Sequence, residues 1–224
     1  MMYRQEHAQV SKHEINVIRG LQAVFLTVVA VLGWAPLDRT TWLMENSVVV
    51  LSAAALWASR HRFYWTARSW ALVLAFVVLH EVGTHYTYPQ VPYDATVLKM
   101  TGVSIDQLFG WQRNQYDRFV HLAYGVLGAL PLREIVTVKC RLQGAWASLM
   151  AWSLVLSTSM LYELMEWVGG AYLGPGGSAF VGAQDDFWDA QKDMAAAAAG
   201  SLAVLVCRGH AIRAPFMQGE GAER

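Results

Sequence analysis

The chain has 224 residues, 55% of them apolar and only 15% charged, with 10 tryptophans. Soluble domains carry about a quarter charged residues, so this composition excludes a disordered chain, and 17 basic against 17 acidic residues leave no net field for a nucleic acid. Two cysteines, Cys140 and Cys207, are too few for a disulfide framework and fit no zinc-ribbon spacing.

Crossing a bilayer takes roughly 17 to 25 apolar residues. The first such stretch is Val17–Leu37, flanked by Lys12 and Arg19. Alone it would pass for a signal peptide, but five further stretches follow, which makes it a retained anchor. They are Trp42–Ser59, Tyr64–Val82, Asp117–Val138, Ala145–Val168 and Asp186–Cys207. The uninterrupted apolar part of the fourth, Phe119–Leu132, is short for a span. The sixth contains MAAAAAGSLAVLVC, whose Ala and Gly allow close helix approach. The expectation is an all-α polytopic bundle of six transmembrane helices: a cytoplasmic segment 1–16, one membrane domain 17–207 and a cytoplasmic tail 208–224.

Loop charges support six spans. With the N-terminus in the cytoplasm, 12 of the Lys and Arg residues fall inside and only Arg39, Lys99, Arg113, Arg118 and Lys192 fall outside. That is the positive-inside bias, and it places both termini in the cytoplasm. Trp34, Trp42, Trp111, Trp167 and Trp188 lie near the outer ends, as an aromatic belt does. The long connections, Gly83–Tyr116 and Gly169–Gln184, are both outer. Pro89 and Pro92 predict an extended start to the former, and Ser104 would cap a short interfacial helix over Ser104–Tyr116.

Acids sort the opposite way: 12 of the 17 fall on the outer side, where His80, His85 and His121 also lie. Asp117 and His121 are i, i+4 at the start of the fourth span. Glu163 and Glu166 are i, i+3 at the end of the fifth, and Asp186, Asp189 and Asp193 are i, i+3, i+7 at the start of the sixth. Each set shares a helix face. The expectation is one outer cavity that gathers these groups with His80, Glu81 and His85, with Tyr86, Asp94, Tyr116, Tyr162 and Gln184 around them.

Two readings of that cavity compete. One is a hydrogen-bonded polar cap that orders the loops. The other is a site for one divalent metal, zinc by preference, because packed carboxylates at that depth need a counter-charge. His80, His85 and His121 would be ligands with one position left for water; Asp117, Glu166, Asp186, Asp189 and Asp193 would complete the set, and Glu81 or Glu163 would act as base. His80-Glu81-x3-His85 resembles HExxH with one residue too many. The two histidines are then about 500° apart around the helix and share no face. Glu-x-x-His pairs of di-iron bundles, a Gly-x-Ser-x-Gly elbow and a phosphate-binding Gly loop are all absent. Charge-free midplanes argue against a channel or a proton-coupled carrier. Function therefore divides between a metal-dependent hydrolase acting on a lipid or periplasmic substrate and a non-enzymatic protein, either a subunit of a larger membrane complex or a binder of a cationic ligand. The bilayer is the partner in both cases.

The segments RNQYDRFVHLAYGVLGALPLREI, LYELMEW and FVGAQDDFWDAQKDM, with HEVGTHYTYPQVPYD over residues 80–94, resemble the YjdF-like family of small bacterial inner-membrane proteins. Members commonly read Gly-Asp-x-Trp-Asp-Thr-Gln before the last span. Here Asp185 stands at the Gly and Ala190 at the Thr, while Asp186, Trp188, Asp189 and Gln191 match. The resemblance implies a bacterial inner-membrane protein and no particular reaction.

Overall fold

The structure is a computed structural model and describes residues 11–59, 65–172 and 184–213. Its described residues form helices and turns, with no strand among them. α1 is Lys12–Leu32 and α2 is Arg39–Ser59. α3 is Ala67–Tyr86, followed by a 3-10 turn at Tyr88–Gln90. Two short helices come next, α4 (Tyr93–Thr101) and α5 (Ile105–Phe109). α6 is Tyr116–Lys139, α7 is Gly144–Tyr172 and α8 is Asp189–Arg213.

Local chemistry sets these boundaries. Ser11 Oγ accepts from Glu14 N at 3.1 Å and Thr66 Oγ1 accepts from Ser69 N at 3.3 Å, so each caps a first turn. Asp38 does the same for α2 through Thr41 N at 2.6 Å. The Arg39 guanidinium donates back to the carbonyls of Gly33 (2.6 Å) and Trp34 (2.7 Å), which closes the end of α1.

α6 is the hub: it packs on α3, α7 and α8, and α7 also packs on α8, while α1 and α2 lie against α3. The tightest approach is between α6 and α8. A Cβ at Gly200 would stand 2.5 Å from the Leu122 carbonyl oxygen, and one at Gly125 would collide with the Ala197 carbonyl. Only glycine permits both crossings. Below this seam, Ala129, Ala151 and Leu205 form a buried core with Trp152, whose Nε1 donates to Ala198 O at 3.1 Å.

Among the described residues, five helices are long and apolar enough to cross a membrane: α1, α2, α3, α6 and α7. α8 is not among them, because Asp189, Lys192 and Asp193 occupy its opening turns. Several boundaries differ from the sequence expectation. α1 begins five residues earlier, at its Ser11 cap, and ends at Leu32. α7 runs on to Tyr172, so the expected loop from Gly169 starts later, and its residues 173–183 lie outside the described ones. The Gly83–Tyr116 connection is not extended at its start. α3 continues through Tyr86, and the prolines initiate the 3-10 turn and α4 instead of breaking structure. Ser104 does cap a helix, through Gln107 N at 3.1 Å, but α5 stops at Phe109, where Gly110 takes a left-handed φ of 66°.

Candidate functional site

The antiparallel packing brings the first turns of α2, α6 and α8 to the same end as the last turns of α3 and α7. Asp117 and His121 open α6, Asp193 lies in the second turn of α8, and Glu163 projects from α7; all four are buried. Asp117, His121 and Asp193 each offer a ligand atom, and these atoms lie within 4.8 Å of one another. His121 Nε2 stands 3.3 Å from Glu163 Oε1 and 3.7 Å from Asp117 Oδ1. Glu163 Oε1 is buried and accepts no hydrogen bond.

A second layer covers this group. Asp189 accepts from Arg113 Nη1 at 2.5 Å and from Arg118 Nη2 at 2.6 Å. Arg118 Nε reaches Asp193 Oδ1 at 3.4 Å, so Asp193 is shared between the guanidinium layer and the group beneath it. Asp186 accepts from Lys192 Nζ at 2.7 Å, and Arg118 Nη2 lies 3.2 Å away. Lys192, donating to Asp186, holds its carboxyl well below the usual carboxylate range. Asp186 precedes α8 and binds the Trp188 amide at 3.1 Å, which corrects the expected three-aspartate helix face: only Asp189 and Asp193 lie on the helix.

On the far side of His121 stands Tyr162. Its ring meets the His121 ring edge-on at 5.7 Å and the His80 ring at 6.5 Å. Its hydroxyl donates to Glu45, a carboxylate of α2 that is 1% exposed. His80 Nδ1 pairs with the Tyr88 hydroxyl at 2.6 Å, and its Nε2 is buried without a partner. Glu166 is buried nearby, among Asp117, Glu45 and Glu163.

Other expected members of the site stand elsewhere. His85 turns to α1, its Nδ1 2.7 Å from the Leu32 carbonyl, so three histidines do not converge. Glu81 is fully buried towards α2, beside Trp42 and Asn46. Tyr86 packs on the His85 ring and on an apolar cluster of Tyr88, Val91, Tyr116 and Val120. Tyr116 donates to Leu79 O at 2.9 Å. Asp94 accepts from Ser104 Oγ at 2.9 Å and from the Asp106 amide at 3.0 Å; the latter bond lowers its pKa and makes it a brace between α4 and α5. Gln184 clasps the Asn114 backbone at both its N–H (3.0 Å) and its C=O (3.1 Å), pinning the approach to α8 against the start of α6. Of the five surrounding residues, Tyr162 adjoins the buried group.

Sequence reasoning missed Glu45, Tyr88 and the specific roles of Arg113 and Arg118. Glu45 had a signal: it is a lone acid ahead of the apolar run VVVLSAAAL, and such a residue marks a polar site by default. As a donor set, one imidazole and two carboxylates fit a divalent cation that accepts mixed nitrogen and oxygen ligands, such as zinc or manganese.

A bundle of long apolar helices with one polar end defines an integral membrane protein. The chain belongs to the family described as predicted membrane protein (DUF2238), whose pattern matches residues 17–213. It is 31% identical over 192 residues to the inner membrane protein YjdF of Escherichia coli strain K12, covering 85% of this chain and 88% of that one. The resemblance seen in the sequence motifs is thereby borne out. No solved structure matches the fold.

Proposed function

We propose that this chain is a six-span inner-membrane protein with cytoplasmic termini whose polar end binds one divalent cation and serves a hydrolytic reaction. The observation that carries the cation is the Asp117–His121–Asp193 group, with its ligand atoms within 4.8 Å of one another in a buried setting. Two carboxylates and an imidazole that close, away from water, repel one another unless a positive charge lies between them. Arg118 answers part of that charge at Asp193, but its nearer contacts go to Asp189 and Asp186.

The roles then divide. Asp117, His121 and Asp193 would hold the cation, and a divalent ion bound there would supply Lewis acidity. Glu163, whose buried Oε1 lies 3.3 Å from His121 Nε2, would be the general base that accepts a proton. Glu81 is not placed for that role, because it faces α2. The substrate class is a lipid or another molecule that reaches the outer leaflet, since the polar end is the outer end in the six-span topology. That topology rests on the loop charges and on α8 running alongside α6 and α7. The inner-membrane location follows the name of the Escherichia coli relative.

A non-enzymatic reading is favoured by one observation: Asp186 and Asp189 are already matched by Arg113, Arg118 and Lys192, as in a structural cap. Elemental analysis separates the two. Protein purified without chelator should carry about one divalent metal per chain, zinc or manganese, and His121→Ala should lose it. A metal-free wild type would leave the cap as the function of this cluster.

A further inference from the structure

Glu45 lies in the second turn of α2, is 1% exposed, and takes no part in the cation group itself. An acid at such a position is costly, and this one accepts a hydrogen bond from the hydroxyl of Tyr162 on α7. The other end of Tyr162 bears on the cation group. Its ring stands at 75° to the His121 imidazole with 5.7 Å between centroids, the edge-to-face arrangement that aromatic rings prefer.

His121 needs such a contact. Histidines that bind metals are ordinarily oriented by a hydrogen bond from the ring nitrogen that does not touch the metal. His121 Nε2 faces Asp117 and Glu163, and the Tyr162 ring packs edge-on against the imidazole. Packing thus bears on the orientation of the ring, and among the described residues Tyr162 is the aromatic residue against it. Tyr162 in turn has one rotatable hydroxyl to fix its own place, and that hydroxyl is bound to Glu45.

We propose that Glu45, acting through Tyr162, is a positioning residue for the cation site: it fixes the His121 ring so that Nε2 meets Asp117 and Glu163 and the imidazole stays in the group with Asp193. This rests on the cation reading above and extends it to α2, a helix whose main neighbour is α3. Ser47 ties α2 to α7 nearby through Met165 Sδ at 3.7 Å, so helix contact and ring orientation can be disturbed separately.

The test uses the full chain in detergent, Mn2+ as the probe followed by its electron paramagnetic resonance, and 15N imidazole signals for the His121 ring. Glu45→Ala and Tyr162→Phe should each weaken Mn2+ binding about 10- to 100-fold, the usual effect of removing an outer partner of a metal ligand. Glu45→Gln keeps an acceptor for the Tyr162 hydroxyl and should restore binding to within a few-fold of wild type. Ser47→Ala should loosen the α2–α7 contact and leave affinity unchanged. Wild-type affinity in Tyr162→Phe, or Glu45→Gln no better than Glu45→Ala, overturns the proposal while the cation site stands. If Glu45→Ala does not fold, Tyr162→Phe, which keeps the ring, decides alone. If the wild type binds no Mn2+, the cation reading fails, and the ring signal decides the rest: an unchanged His121 resonance in Tyr162→Phe ends the positioning claim as well.

Discussion

Gly200→Ala is the sharpest probe of the seam that carries the polar end. The added Cβ would stand 2.5 Å from the Leu122 carbonyl oxygen and 3.2 Å from both Leu122 Cδ1 and Val126 Cγ2. An ordinary carbon–oxygen contact is about 3.3 Å, so α6 and α8 must part by roughly 0.8 Å. The obstacle is backbone and cannot rotate away. Forced shifts of this kind cost about 1 to 3 kcal/mol, and a backbone obstacle belongs at the upper end. Alanine recovers about 1 kcal/mol of helix propensity over glycine, which leaves a net loss of about 2 kcal/mol. For a chain of this size that lowers Tm by about 4 to 8 °C. The assay is thermal unfolding in detergent by circular dichroism, with Gly20→Ala as control. Nothing lies within 4 Å of a Cβ at Gly20, so only the propensity gain applies there and Tm should hold or rise. Gly200→Ala melting at or above wild type would show that the close α6–α8 crossing is not what holds the seam. The same opening separates His121, next to Leu122, from Asp193, two turns before Gly200, so cation affinity should fall with stability.

Two further outcomes follow from the charges. The Asp186 pKa is depressed below its ordinary 3.8 in the folded chain, so its contribution is present above that value and is lost as pH falls through the lower folded pKa. Unfolding midpoints measured from about pH 4 down to about 2 should therefore drop, and Asp186→Asn should flatten the drop; an equal acid slope in both proteins would remove Asp186 as its cause. The topology predicts that a reporter fused after Arg213 is active only if it requires the cytoplasm, and a periplasmic signal at that point would refute six spans.

Much of the architecture was legible because a bilayer imposes a length. The apolar stretches of α2, α3, α6 and α7 stand in the sequence within a few residues of the helices formed, and Ser104 announced its own cap. The α4 helix was hidden by Pro89 and Pro92, which read equally as turn starters and as helix starters. The site was legible only as a list of residues at one end. Spacing placed Asp117 with His121 on one face, and the structure joins them to Asp193. Spacing could not say that His85 would turn to the Leu32 carbonyl or that Glu81 would face α2, because residues at the end of a helix choose among neighbours that only the tertiary packing supplies. Glu45 went unassigned for a related reason: its partner Tyr162 is 117 residues away, and no local pattern links them.

α8 contributes Asp189 and Asp193 yet is the most polar of the long helices, and it docks through glycine contacts on α6. During synthesis, α1, α2, α3, α6 and α7 can each partition into lipid on their own hydrophobicity, whereas α8 needs the waiting surface of α6 and α7 to shelter its opening turns. The cluster is thus incomplete until α8 has docked. Without α8 in place, Asp117, His121 and Glu163 would face a gap, so the docking of this one helix on α6 and α7 is what completes the polar centre.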